Sequence, residues 1–238
     1  MLYSVKGIIL RTTKYTDNSL IVNAYTNSFG LQNYMVRGVH SRTSKVKVNY
    51  FQGLMVLEMI VTKSEKSRLE RITEVTGARS LTTNFDPVKN TILHFLNELL
   101  NKTIREEESN PNLFDFLVNA FDILALKENG CSNFHLVFML KYTKYLGFYP
   151  IENYSTENKY FDLMEGRFLY EQPHHVNYLD ETLSRHINLL MNTKFEICEQ
   201  VIISNPERKL LIVGLLHYYK LHNMLTSDLI SHEVLQEL

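Results

Sequence analysis

Residues 19–38 read SLIVNAYTNSFGLQNYMVRG, and that stretch decides the architecture of the front of the chain. Leu20, Val22 and Ala24 alternate with Ile21, Asn23 and Tyr25, the two-residue period of a strand with one face in a core. Asn27-Ser28-Phe29-Gly30 then supplies turn chemistry, and Gln32–Gly38 resumes the extended pattern. Two such runs joined by so short a turn predict a β-hairpin.

Working outward, Tyr3–Arg11 reads as a strand before the hairpin, with Gly7 inside it where a barrel strand bends or bulges. Leu54–Val61 is apolar on both faces, as expected for a strand wrapped into a barrel. Lys63–Ser67 turns it into a fifth strand, Arg68–Val75. Five short strands, no proline before Pro87, and glycines at 7, 30, 38, 53 and 77 predict a five-stranded OB-type barrel over residues 1–80; an SH3-like barrel is the competing small closed sheet.

Charge divides the chain at the same place. Residues 1–80 carry twelve Lys and Arg against five Asp and Glu, a net +7, whereas residues 81–238 hold a net −8, so the overall −1 is an average of opposed fields. A basic half of this kind suits a polyanion, because clustered cations displace the counterions condensed on phosphates. Arg11, Lys14 and Tyr15 flank the first connection, while Arg37, His40, Arg42, Lys45 and Lys47 crowd the acid-free Gly38–Asn49 connection. The connection reads as an electrostatic clamp on nucleic acid. Tyr15 and Tyr34 are candidate base-stacking platforms, with packing inside the barrel as the other reading.

From residue 81 to 238 the period changes to that of helices. Asp86-Pro87 and Asn110-Pro111 are helix starts, followed by Ile92, Leu96, Leu99 and Leu100 on one helix and Leu113 to Leu124 on the next. Ser132 is read as the cap of a central buried helix ending at Gly147, Asp180 as the cap of a fourth, and Asn205-Pro206-Glu207 as the start of a fifth with Leu210, Val213, Gly214, Tyr218 and Leu221 inward. Over about 148–179 the helical period vanishes, and Phe161–Tyr170 predicts a small hairpin turning at Glu165-Gly166. The expected fold is thus a multidomain α+β chain: an OB-type barrel, 1–80, and a helical domain, 81–238, with a hairpin insertion.

No phosphate-binding glycine loop, zinc-protease HExxH or GxSxG elbow occurs, so catalysis is not expected. Cys131 and Cys198 lack CxxC spacing and read as buried thiols in a reducing cytosol. The adjacent His174 and His175 read as surface residues, and Glu106-Glu107-Glu108 as a solvated helix end. No apolar run of membrane-spanning length and no export signal is found, which predicts a cytoplasmic protein with no membrane partner.

Short motifs in fixed order carry a family resemblance. Gly7–Arg11, Asp17, Ile21-Val22, Tyr25-Thr26, Phe29-Gly30, Arg37–His40 and Leu57-Glu58 resemble the N-terminal OB domain of the bacterial RecO recombination mediators. Tyr145–Pro150, Phe161-Asp162 with Gly166, and Ser231–Leu235 resemble that family's helical domain in the right order. The resemblance implies binding of single- and double-stranded DNA, strand annealing, and replacement of single-strand binding protein (SSB) by RecA, with RecR as partner. Many members hold a zinc on four cysteines after the Leu-Gly-Phe motif. Here Asn153–Thr156 and Gln172–His175 occupy those places, so no zinc is expected. By the same resemblance the acidic helical domain would take the C-terminal tail of SSB, with Lys141 and Lys144 as a candidate basic rim. An OB-fold RNA-binding or translation-associated protein is the alternative function.

Overall fold

In the computed structural model of the chain, residues 1–41, 43–63, 69–79 and 86–235 are described. Strands β1 (Leu2–Thr16), β2 (Ser19–Thr26), β3 (Gly30–Arg37), β4 (Val56–Thr62) and β5 (Glu70–Arg79) close in the order β1-β2-β3-β5-β4. The β3–β5 pair is parallel and the other four pairings are antiparallel. This is the OB-type closure, and the SH3-like alternative falls. Every second residue points inward, so Ile9, Val22, Ala24, Tyr34, Val36, Leu57, Met59, Val61 and Ile72 form one core. Each such apolar side chain contributes about 1.5–3 kcal/mol of burial before conformational entropy is counted.

The β2–β3 hairpin forms as its sequence predicts, with Thr26 opposite Gly30. Gly30 takes φ +63, and a Cβ there would lie 2.3 Å from the Glu108 carbonyl oxygen, so only glycine fits. Gly7 plays a different part from the expected bulge. The irregularities of β1 fall between Ile9 and Arg11 and between Lys14 and Thr16, while Gly7 makes room for the Met59 methyl, 2.5 Å from where its Cβ would stand. Strand β1 also runs on to Thr16, because Thr12 and Thr13 still pair with Val22 and Ile21 although they lack an apolar period. The β3–β4 connection is anchored rather than loose: Val39, Val46 and Phe51 enter the barrel core, the last from a 3-10 turn at Val48–Phe51. The turn expected over 63–67 lies largely outside the described residues, as does Arg68, the expected first residue of the fifth strand.

Helix α1 spans Pro87–Thr103 and α2 spans Pro111–Leu126, each entered through a side-chain cap. The Asp86 carboxylate accepts from the Lys89 amide at 3.1 Å, and Asn110 Oδ1 from the Leu113 amide at 3.1 Å. By contacts the chain forms two compact units, Met1–Phe85 with Asn97–Ala125, and Asp86–Leu96 with Leu126–Leu238. In the first, the Asn101 side chain donates to the Leu10 carbonyl at 2.9 Å, Leu31 N–H donates to Glu106 O at 2.8 Å, and Arg79 pairs with Asp122 at 2.7 Å.

In the second unit, α3 (Phe134–Leu146) is buried almost all round and ends at Gly147, φ 85. Its cap position is Asn133, not Ser132, and the Asn133 carboxamide instead donates to the carbonyls of Cys198 and Val201. Strands β6 (Tyr160–Asp162) and β7 (Arg167–Leu169) make the expected hairpin, joined by an unforeseen third strand, β8 (Tyr178–Leu179), too short to show a period. Asp180 caps α4 (Glu181–Met191), and Ser204 with Glu207 forms a capping box on α5 (Asn205–Leu221). On α5 the expected inner face is rotated: Leu210 and Val213 are 56% and 50% exposed, while Leu211, Ile212, Leu215 and Tyr219 join Gly214 and Tyr218 inside. The unit closes with a short α6 (His232–Leu235).

Candidate nucleic-acid interface

The described basic residues singled out in sequence, Arg42 not among them, gather at one rim and on the adjoining face of the barrel. Asn18, in the β1–β2 turn, accepts from Gly38 N–H at 2.9 Å through its carbonyl and from His40 N–H at 3.3 Å through its side chain. That pair of bonds ties the turn carrying Lys14 and Tyr15 to the β3 exit carrying Arg37 and His40. All four side chains are exposed, Tyr15 at 61%. Lys47 is exposed as well, and Arg42 lies outside the described residues.

Tyr34 is a correction. Its ring is fully buried in the barrel core, because Tyr34 shares the inward parity of Val36, and a base cannot stack on it. Burial, helped by the Glu70 charge, pushes its phenol well above the ordinary tyrosine range. The β3–β4 connection is also less purely basic in space than along the chain: Glu74 of β5 pairs with Lys45 at 2.9 Å, and the Lys45 carbonyl accepts from Val75 N–H.

Among the described basic residues of this unit several meet a carboxylate, Arg79 with Asp122 included, and others do not, Lys47 among them. Lys6, Lys14, Lys45 and Lys63 are paired with Glu58, Asp17, Glu74 and Glu70 at 3.0, 2.6, 2.9 and 3.5 Å. Arg11 and Arg37 are exposed and make no ion pair among the described residues. Exposed pairs are weak and can be exchanged for phosphate, but their carboxylates cancel part of the local field, so the unpaired cations carry more of the usable charge. Beside Arg11 a groove of about 440 Å³ opens on the outer face of β1, β2 and β3, with Thr13, Asn23, Asn33 and Asn101 as its polar wall and Ile21 and Leu31 as its apolar one. Asn23 Nδ2 donates to Asn33 Oδ1 at 3.1 Å, leaving further amide donors and acceptors on this face. The sequence reading passed over these asparagines because uncharged polar residues on an outward parity look like ordinary solvated positions.

In the second unit Lys141 and Lys144 of α3 differ in exposure. Lys141 is half-buried, its ammonium donating to the Met191 carbonyl at the end of α4 at 3.4 Å, and burial lowers its pKa; Lys144 is exposed. Over residues 153–175, where the family resemblance placed zinc-binding cysteines as an expectation, side-chain hydrogen bonds organise the chain. The Asn153 carboxamide accepts from Phe168 N–H and donates to Phe168 O, both at 2.9 Å, clamping β7. Ser155 Oγ accepts from the amides of Glu157 and Asn158. Buried Asp162 accepts from the amides of Met164 and Glu165 and faces His175 Nε2 at 3.3 Å. His174 is exposed, whereas His175 is half-buried and its Nδ1 accepts from the Asn177 amide. The sequence has two cysteines and so lacks the donor set of a four-cysteine zinc; among the described residues no three His, Cys, Asp or Glu side chains come together as they would to hold a metal. Both cysteines are buried, and burial pushes the Cys198 thiol up to about 11, the condition of an unreactive thiol. Among the described residues no helix is long and apolar enough to cross a membrane.

Comparison with known proteins agrees with this architecture. Residues 1–81 match the family described as Recombination protein O N terminal, and residues 84–224 match Recombination protein O C terminal. The chain is 36% identical over 224 residues to the DNA repair protein RecO of Flavobacterium psychrophilum, covering 93% of this chain and 92% of that one. It is 35% identical over 239 residues to the RecO of Phocaeicola vulgatus, covering 100% and 99%, and 37% identical over 229 residues to that of Christiangramia forsetii, covering 93% and 92%.

Proposed function

The chain belongs to the RecO family of DNA repair and recombination proteins, and from that premise we propose that it is a non-enzymatic mediator whose barrel binds DNA through the rim and outer face described above. Arg11, Lys14, Tyr15, Arg37, His40, Arg42, Lys45 and Lys47 form the contact surface in this reading, with Arg11, Arg37 and Lys47, which make no ion pair among the described residues, contributing most. The observation that supports it best is the segregation of charge: exposed arginines without carboxylate partners among the described residues stand on the face of an OB-type barrel that suits an extended strand. The mediator holds single- and double-stranded DNA, anneals complementary strands, and works in the cytoplasm with RecR and the SSB tail so that RecA replaces SSB. Those partners rest on the family alone. For the tail, Lys144 and not Lys141 is the cation of that pair facing solvent.

Binding of a labelled single-stranded oligonucleotide by the full chain tests the reading. Affinity is expected to fall at least about tenfold between about 50 and 200 mM salt, the response of several neutralised phosphates. A flat salt response, or a strong preference for structured RNA, would favour the RNA-binding alternative.

A further inference from the structure

The barrel closes through a parallel β3–β5 pairing that no local sequence pattern announces, and the closure brings one more arginine onto the outer face. Met35 of β3 lies opposite Arg71 of β5, Ile21 of β2 opposite Met35, and Thr13 of β1 opposite Ile21. Directly opposed residues share a face of the sheet, so Thr13, Ile21, Met35 and Arg71 stand on the outer parity; Met35 is itself buried and Ile21 half-buried, and Thr13 and Arg71 are the exposed members of the row. Arg11, Asn23 and Asn33 form the neighbouring row in the same way. Arg37 stands two residues beyond Met35 on β3, hence on the same side and diagonal to Arg71. The parity is independently fixed by Tyr34, Val36 and Ile72, which alternate with these residues and fill the core.

Arg71 is exposed and, like Arg11 and Arg37, makes no ion pair among the described residues. From β1 to β5 is three strand spacings, about 14 Å. Arginines therefore bound both ends of a sheet face whose middle carries the Asn23–Asn33 carboxamides.

We propose that Arg71 is a phosphate anchor for single-stranded DNA, and that the strand crosses the outer face from Arg11 over Asn23 and Asn33 to Arg37 and Arg71 instead of keeping to the β3–β4 connection. This rests on the DNA-binding reading above and extends it to a strand and a residue that reading does not include. The charge calls for a polyanion. The carboxamides between the charges lie on an open sheet face and suit Watson–Crick edges, which a single strand leaves free; a duplex pairs those edges and shows its remaining ones only inside its grooves.

The test uses the full chain with a labelled mixed-sequence single strand, its affinity measured over a salt series for wild type, Arg71→Ala, Arg71→Lys, Arg37→Ala and Arg79→Ala. Arg71→Ala is expected to weaken binding about five- to tenfold and to flatten the salt slope by about 0.7, the loss of one phosphate contact on a single strand. Arg71→Lys should recover part of the loss and keep the slope. Arg79→Ala, whose arginine is engaged with Asp122, should change neither. Unchanged affinity and slope in Arg71→Ala, with binding weakened in Arg37→Ala, would remove β5 from the path while leaving the DNA-binding reading intact. Absence of salt-dependent binding by wild type would instead remove that reading. Equal losses on single strand and duplex in Arg71→Ala would overturn the single-strand assignment, and unchanged melting temperatures of the variants confirm that binding, not folding, is being read.

Discussion

His135 shows how one buried side chain couples the fold to pH. It sits on α3, fully buried, packed edge-on against Phe95 at 6.0 Å, with Nδ1 lacking a hydrogen-bond partner among the described residues. Burial, reinforced by the Arg208 charge, pushes its pKa down to about 3. In the unfolded chain the same imidazole ionises near its ordinary 6.5. Between those values only the unfolded state binds the proton, so the contribution to stability is complete above about pH 6.5 and is lost as pH falls toward 3, by up to about 1.4 kcal/mol per pH unit. Urea unfolding of His135→Leu is expected to show a shallower loss of stability between about pH 7 and about pH 5 than wild type does. Parallel pH profiles for the two proteins would mean that the folded imidazole can be protonated. The sequence placed His135 in a buried helix; that its ring stays neutral as the pH falls depends on its burial and on Arg208, remote in the chain.

The hairpin of β6 and β7 is legible at the element scale, since Phe161-Asp162 and Arg167-Phe168 flank a glycine held at φ +64. What fixes it is not legible, because Asn153 is distant from Phe168 in sequence and a single asparagine in a loop carries no pattern. Its carboxamide is the sole side chain that bonds both backbone groups of Phe168 among the described residues. Asn153→Ala leaves an N–H and a C=O of β7 unpaired and is expected to cost about 1–3 kcal/mol, read by urea unfolding. The Phe168 amide should lose hydrogen-exchange protection alongside. If stability and protection both stay at wild-type levels, the hairpin is held by its apolar contacts alone. The caps follow the opposite rule: Asp180 was readable because a capping residue acts within three positions of itself, and the start at Asn205-Pro206-Glu207 fell one residue past its cap, Ser204, whereas at α3 the cap position is Asn133 instead of Ser132, its carboxamide held by carbonyls of Cys198 and Val201 far along the chain.

Across the whole molecule, the insertion between α3 and α4 is organised by side-chain hydrogen bonds, and with only two cysteines in the sequence the full chain is expected to carry no stoichiometric zinc. Elemental analysis together with melting in the presence and absence of a strong chelator checks this: one zinc per chain, and a melting temperature that falls when it is removed, would make ligands of His174 and His175. The barrel and helical regions, the β2–β3 hairpin and the basic face could be read from the sequence because they rest on local period, turn chemistry and composition, and the same residues in fixed order carried the family. Only the tertiary structure decided which basic residues remain unpaired, that Tyr34 points into the core, that residues 97–125 pack with the barrel strands, and that Arg71 joins Arg37 on one face. The physical reason is the same in each case: parity and charge along a strand are local properties, but the partner across a sheet, and the carboxylate that meets a lysine, are set by closure of the chain on itself.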